Sequence, residues 1–399
     1  MRIGIAAALI ALVGCTNEAS DVEDTWVLSP TDPESTATTS GAVDVSDRVE
    51  AMSRPRDHDR PTGLAFNPEV ENELWVVNKR NDSATIIDGA GTADQDAEVI
   101  IDPYALHFME EVTSIAFGAP GTFATCQDGT NTYNGQAQGN NFTGPALWSS
   151  ARSIFGISNP AAVEFLTDRF GSPVDLGSHL DMLHESPECM GIAWDHDNVY
   201  WVFDGFNGHI VRYDFAEDHG PGYDDHSDGV VSRHMSTDVS RVPGVSSHLV
   251  MDHDTGLLYV ADTGNSRIMV LDTNTGRRGD DLSTFDCWSD DPQQPPSCVD
   301  HHEWRRSDWT TLIDGTLIDM EWPSGIDLHD GTLFVTDAKS NEILAFELTG
   351  ELVGRAYTGL DREKALGAIT VRSMDELWYV DARGDQVYRL QSPVAAPVQ

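Results

Sequence analysis

Residues 190–215 read MGIAWDHDNVYWVFDGFNGHIVRYDF. Three short runs rich in β-branched and aromatic residues alternate with polar positions, and Asp, Asn and Gly separate them, which is the pattern of three antiparallel strands joined by tight turns. The unit recurs as TGLAFNPEVENELWVVNKRNDSATIID from Thr62 and TSIAFGAPGTFATCQDG from Thr113. It returns as SHLVMDHDTGLLYVADTGNSRIMVLD from Ser247, SGIDLHDGTLFVTDAKSNEILAFELTGE from Ser324 and GAITVRSMDELWYVDARGDQVYRLQ from Gly367. First strands begin near 63, 114, 191, 248, 325 and 368, and the uneven gaps place loop insertions at about 130–180 and 276–308.

One such unit cannot bury both of its faces, but six arranged radially can, leaving only short protected edges. The segments VADTGNSRIMVLD and SGIDLHDGTLFVTDAKSNEILAFE resemble NHL repeats. The expected fold is therefore all-β, a six-bladed NHL-type β-propeller over residues 45–395. A seventh, degenerate blade inside 130–180 is the alternative. The last unit lacks a fourth strand, which Val43–Met52 is placed to supply.

Ahead of this body, Met1-Arg2 and an apolar run from Ile3 to Gly14 form an export-signal pattern, too short to span a bilayer. The run ends Leu12-Val13-Gly14-Cys15, which resembles the lipobox of bacterial lipoproteins. That resemblance implies a signal peptide over 1–14 and a lipidated Cys15. Residues 15–44 then form a tether, with seven acidic residues and no basic one. The implied location is the bacterial cell envelope, periplasm or outer membrane, with the lipid as the only membrane contact.

The 399-residue chain has 66 Asp and Glu against 24 Lys and Arg, a formal charge of −42. Such a field repels phosphate backbones and anionic headgroups, so nucleic-acid binding is excluded. Four cysteines follow Cys15. Cys287 and Cys298 share one polar loop and are expected to pair. Cys126 closes the second strand of blade 2 and Cys189 opens blade 3, so both fall at one mouth of the propeller. An oxidising compartment favours a disulfide there, with a thiolate metal ligand as the other reading.

In a propeller, the residues just upstream of each first strand converge on one mouth of the channel. His107 and His184 occupy the same repeat position, and His248 directly precedes the blade 4 strand. Three imidazoles with an open position suit Zn²⁺, and nearby methionines would shift the preference to copper. Solvated or packed histidines are the competing reading. A second cluster, Asp214, Asp218, Asp224, Asp225 and Asp228 with His219 and His226 between them, reads either as a Ca²⁺ site or as a solvated acidic loop.

The aspartates ending second strands (Asp204, Asp262, Asp337, Asp381) read as turn caps. Peptidyl-hydroxyglycine amidating lyase is similar in being an NHL-type propeller that holds zinc with three histidines. In that family the histidines lie within the strand-opening motif, whereas His107 and His184 lie five residues before it. No nucleophile triad, P-loop or dinucleotide signature is present. Two functions follow: a monomeric envelope propeller that binds a protein, peptide or glycan partner, or a metal-dependent lyase or hydrolase.

Overall fold

The computed structural model describes residues 58–130, 141–289 and 295–391. It is a six-bladed β-propeller. Blade 1 comprises Pro61–Phe66, Leu74–Asn78, Ser83–Asp88 and Asp96–Ile101. The first strands of the other blades are Val112–Phe117, Cys189–His196, Leu249–Asp252, Pro323–His329 and Leu366–Ser373. Each lies beside its two neighbours, and the sixth returns to the first, closing the ring.

The ring is laced by hydrogen bonds between neighbouring inner strands. Thr62 Oγ1 donates to the Val112 carbonyl at 2.8 Å and Thr113 Oγ1 to the Cys189 carbonyl at 2.6 Å. The Ser247 amide donates to Met190 O at 3.0 Å and the His248 amide to Ser324 O at 2.9 Å. This close approach explains the small residue that opens each repeat. A Cβ on Gly191 would stand 2.0 Å from the Ser247 carbonyl, and one on Gly325 would stand 2.5 Å from that of Gly367. Between the blades, Trp75, Trp148, Trp201 and Trp378 are fully buried.

Both insertions prove more structured than loops. Segment 130–180 supplies the third strand of blade 2, Ala146–Ser149, and leads into the fourth, His179–Met182; there is no seventh blade among the described residues. Between these strands lies a helix, Pro160–Phe170, whose Asn159 side chain accepts from the Ala161 amide at 3.1 Å. Segment 276–308 widens blade 3 to six strands: Asp300–Arg305 runs parallel to Val230–His234 and pairs on its other edge with Arg277–Asp281.

Blade 6 has three strands among the described residues. Val43–Met52, the tether, the signal segment and Cys15 lie outside them. Cys126 pairs with Cys189, bracing blade 2 against blade 3, and Cys287 pairs with Cys298. The second-strand aspartates cap turns: Asp204 accepts from the Phe206 and Asn207 amides, and Asp381 from those of Arg383 and Gly384.

Candidate metal centre

The histidines selected from the sequence separate into two places. His248 stands in the neck of the channel, where its Nε2 donates to the Thr62 carbonyl across the ring at 3.1 Å. Burial lowers its pKa to about 4, so the ring is neutral. It lines a cavity of about 230 Å³ whose walls mix Leu64, Ile115 and Ile326 with the polar side chains of His253 and Asp327. His248 therefore does not join His107 and His184. A residue directly before an inner strand faces the axis, whereas residues five to eight positions upstream lie on the rim.

His107 and His184 do meet on the rim of blades 2 and 3. His107 belongs to the short helix Ala105–Phe108, and its ring centroid is 5.8 Å from that of His184. Two further imidazoles join them. His226, from the loop before the fourth strand of blade 3, lies 6.3 Å from His184, and His179, opening the fourth strand of blade 2, lies 5.8 Å from His226. Phe108 stacks on His179 at 3.6 Å and lies 4.8 Å from His107, so five rings close a circuit. Phe142 stacks against His184 at 4.1 Å.

Hydrogen bonds fix the orientation of these rings. The Asp286 carboxylate, carried in by the 276–308 insertion, accepts from His184 Nδ1 and, at 2.9 Å, from the His184 amide. His179 Nδ1 donates to the Leu176 carbonyl at 2.9 Å. With both Nδ1 positions engaged, the Nε2 atoms of His179 and His184 are buried without a hydrogen-bond partner. A carboxylate or carbonyl on one ring nitrogen and a lone pair on the other is the arrangement of a metal-ligating histidine.

Electrostatics keep two of the four rings neutral. Burial, and then the neighbouring His184 and His226, lower the His107 pKa to about 3. Burial likewise holds His179 well below the usual imidazole value. His226 behaves oppositely: burial opposes its charge, but the Asp181 carboxylate, which accepts from its Nδ1, and the Asp224 carboxylate near its Nε2 overcome this and raise its pKa well above the usual value. Its Nδ1 lies 2.6 Å from Asp181 Oδ1. Burial raises the Asp181 carboxyl to about 6, with His226 pulling it down. Beside the pocket, burial raises Glu185 to about 7.

The five aspartates expected to bind calcium are not gathered around one point. Asp214 accepts from the Ala216 amide, Asp218 from that of Gly220 and Asp225 from that of Ser227, so these close turns of their own loop. Asp224 lies 3.6 Å from His226 Nε2. Only Asp228 enters a ligand group, and its companions are His219 and Asp181, with ligand atoms all within 4.8 Å of one another. Asp181 had no sequence signal. Its strand, His179–Met182, is buried at every position, so the alternation that marks a strand is missing.

No protein-family profile matches the sequence, and no curated protein matches it. Among solved structures, it is similar to regucalcin from Agrobacterium tumefaciens, described as a calcium-binding protein. That match has 10% identity and a TM-score of 0.49, over 86% of this chain and 92% of that one. A second is a catalytically inactive virginiamycin B lyase from Staphylococcus aureus solved with quinupristin, at 11% identity and TM-score 0.47, over 87% and 88%. A third is an auxiliary nutrient binding protein from Bacteroides thetaiotaomicron, at 11% identity and TM-score 0.49, over 83% and 68%. At such identities the likeness is one of fold, and the site must be argued from this chain's own residues.

Proposed function

We propose that this protein is an exported, lipid-anchored propeller of the bacterial cell envelope, built from NHL-type blades, that binds an extracytoplasmic protein, peptide or glycan. We propose further that it carries one transition-metal ion in the rim pocket of blades 2 and 3, with His179 and His184 as ligands and His107 beside them. The ligand atoms of these three do not all lie within 4.8 Å of one another in the metal-free fold, so binding would draw the rings together. The observation that carries the metal reading is the pair of buried, unpartnered Nε2 atoms on His179 and His184, each on a ring fixed through Nδ1. Leaving such atoms unpaired is costly, and coordination to an ion would satisfy each of them. An all-imidazole donor set favours zinc or copper over calcium. The ion would brace the rim and offer an open coordination position to a donor atom of the partner.

One observation favours the lyase or hydrolase reading as a second possibility. Glu185, its carboxyl raised by burial to about 7, adjoins His184 and is suited to proton transfer near neutral pH. In that reading the rim histidines would hold an ion able to polarise a substrate oxygen, and Glu185 would take or return the proton.

The test is the metal content, by mass spectrometry, of tag-free protein beside a His179→Ala/His184→Ala variant. Zinc or copper bound to the wild type and lost from the variant supports the pocket. Equal metal content in both overturns it.

A further inference from the structure

Outside the histidine pocket, Asp181, His219 and Asp228 come from two different blades. Asp181 lies in the fourth strand of blade 2, and the other two lie in the loop that precedes the fourth strand of blade 3. Their ligand atoms fall within 4.8 Å of one another, and His219 Nε2 is 2.9 Å from Asp228 Oδ1. The residues differ in exposure: the Asp181 side chain is wholly buried, whereas the side chains of His219 and Asp228 are 22% and 34% exposed and Asp228 lies at the surface.

Closeness of acidic groups alone would carry little, because a chain of charge −42 brings carboxylates together in many places. The distinguishing observation is Asp181. Its Oδ1 is used twice, by His226 Nδ1 at 2.6 Å and by the Met182 amide at 2.6 Å. Its Oδ2 is buried with no hydrogen-bond partner. A buried carboxylate oxygen is an expensive group to leave unsatisfied. His226 orients the carboxylate from behind, as outer-shell partners orient ligating carboxylates in metal sites. The other two residues then stand on the solvent side of it.

We propose that Asp181, His219 and Asp228 form a second metal site, which binds a divalent first-row transition cation of the Mn²⁺-to-Zn²⁺ class and leaves the remaining positions to water or a ligand. One imidazole nitrogen and two carboxylates match the donor sets of zinc and manganese sites with open positions. Calcium is disfavoured, because it takes six to eight oxygen ligands and the neighbouring aspartates are already closing turns. The site differs from the histidine pocket in ligands and exposure. The two are joined through His226, whose ring lies 6.3 Å from that of His184 while its Nδ1 holds Asp181.

The experiment is equilibrium dialysis of tag-free protein against Zn²⁺, with bound zinc measured by mass spectrometry in three proteins. These are the wild type, the rim variant His219→Ala/Asp228→Asn and the pocket variant His179→Ala/His184→Ala. The rim residues lie at the surface, and circular dichroism confirms that each variant is folded. Two zinc ions per wild-type chain and one per rim variant is the expected result, with the affinity at the lost site falling at least tenfold. Wild-type stoichiometry in the rim variant overturns the second site and leaves the pocket standing. Loss of zinc from the rim variant alone, with the pocket variant unchanged, upholds the second site and overturns the pocket. A parallel titration with Ca²⁺ tests the class: displacement of rim zinc by equimolar Ca²⁺ refutes the assignment to a transition cation.

Discussion

Mild acid should destabilise the metal-free protein steeply, by about 3 kcal/mol between pH 6.5 and pH 5.5. Four histidines outside the metal pocket are buried in neutral form. Burial is the leading cause in each case, lowering His58, His248 and His301 to about 4 and His234 to about 3. In the unfolded chain each ring binds a proton near pH 6.5. The unfolded state therefore takes up more protons, and the stability these neutral rings confer is present above pH 6.5 and lost as pH falls toward 4.

Asp327 acts in the opposite sense. Burial raises its carboxyl to about 6, so the folded state gains a proton there over the same interval. The four rings account for roughly three protons and Asp327 returns about half of one. In the metal-free pocket the neutral His107 and His179 add about one and a half more, and Asp181 and Glu185, raised by burial to about 6 and about 7, return about as many. The net therefore stays at ~3 kcal/mol, at ~1.4 kcal/mol per proton and pH unit. Ordinary carboxylates titrate below this window. The assay is urea denaturation of chelator-treated protein at the two pH values. With a slope of about 1–3 kcal/mol per molar urea, the midpoint should drop by at least roughly 1 M at pH 5.5. An unchanged or higher midpoint at pH 5.5 would refute the burial of four neutral imidazoles.

The same urea assay checks three further expectations. Replacing Cys126 and Cys189 by alanine opens a loop of 63 residues and should cost about 4 kcal/mol, against about 3 kcal/mol for Cys287 and Cys298, whose loop is 11 residues. Arg233→Met strips the cationic partner from Asp204, a wholly buried carboxylate whose Oδ2 lies 2.5 Å from the guanidinium, leaving it only neutral amide donors, and should cost about 3 kcal/mol. Gly191→Ala drives a Cβ against the Ser247 carbonyl and should cost about 3 kcal/mol, whereas Gly331→Ala meets no atom and changes stability only through its positive φ.

What was legible in the sequence divides along physical lines. Leu257–Asp262 and Thr332–Asp337 are buried at every position after the first, so the sign that marks them is not alternation but the recurring unit itself, a β-branched and aromatic run that ends at Asp and is bounded by Gly and Asn turns. Ala146–Ser149 and His179–Met182 are buried at all positions and separated by a helix, so blade 2 hid half of its strands. The insertion at 276–308 looked like a polar loop. Its strand Asp300–Arg305 finds a partner in Val230–His234, roughly seventy positions earlier, a pairing that no local pattern encodes.

The candidate site shows the same division. Repeat alignment brought His107 and His184 together because both precede an inner strand by the same distance. Alignment could not tell the rim from the neck, which is where His248 differs by standing directly before its strand. His179, Asp181 and Asp286 were not legible, because strand pairing within blade 2 and an insertion from blade 4 carry them to the rim.

The most direct test of the account is an anomalous difference map, recorded at the zinc edge, from crystals equilibrated with Zn²⁺. The account predicts a peak about 2.0–2.1 Å from His184 Nε2, flanked by His107 and His179. Zinc-loaded crystals whose peaks all lie elsewhere, with no ion on His184, would contradict it.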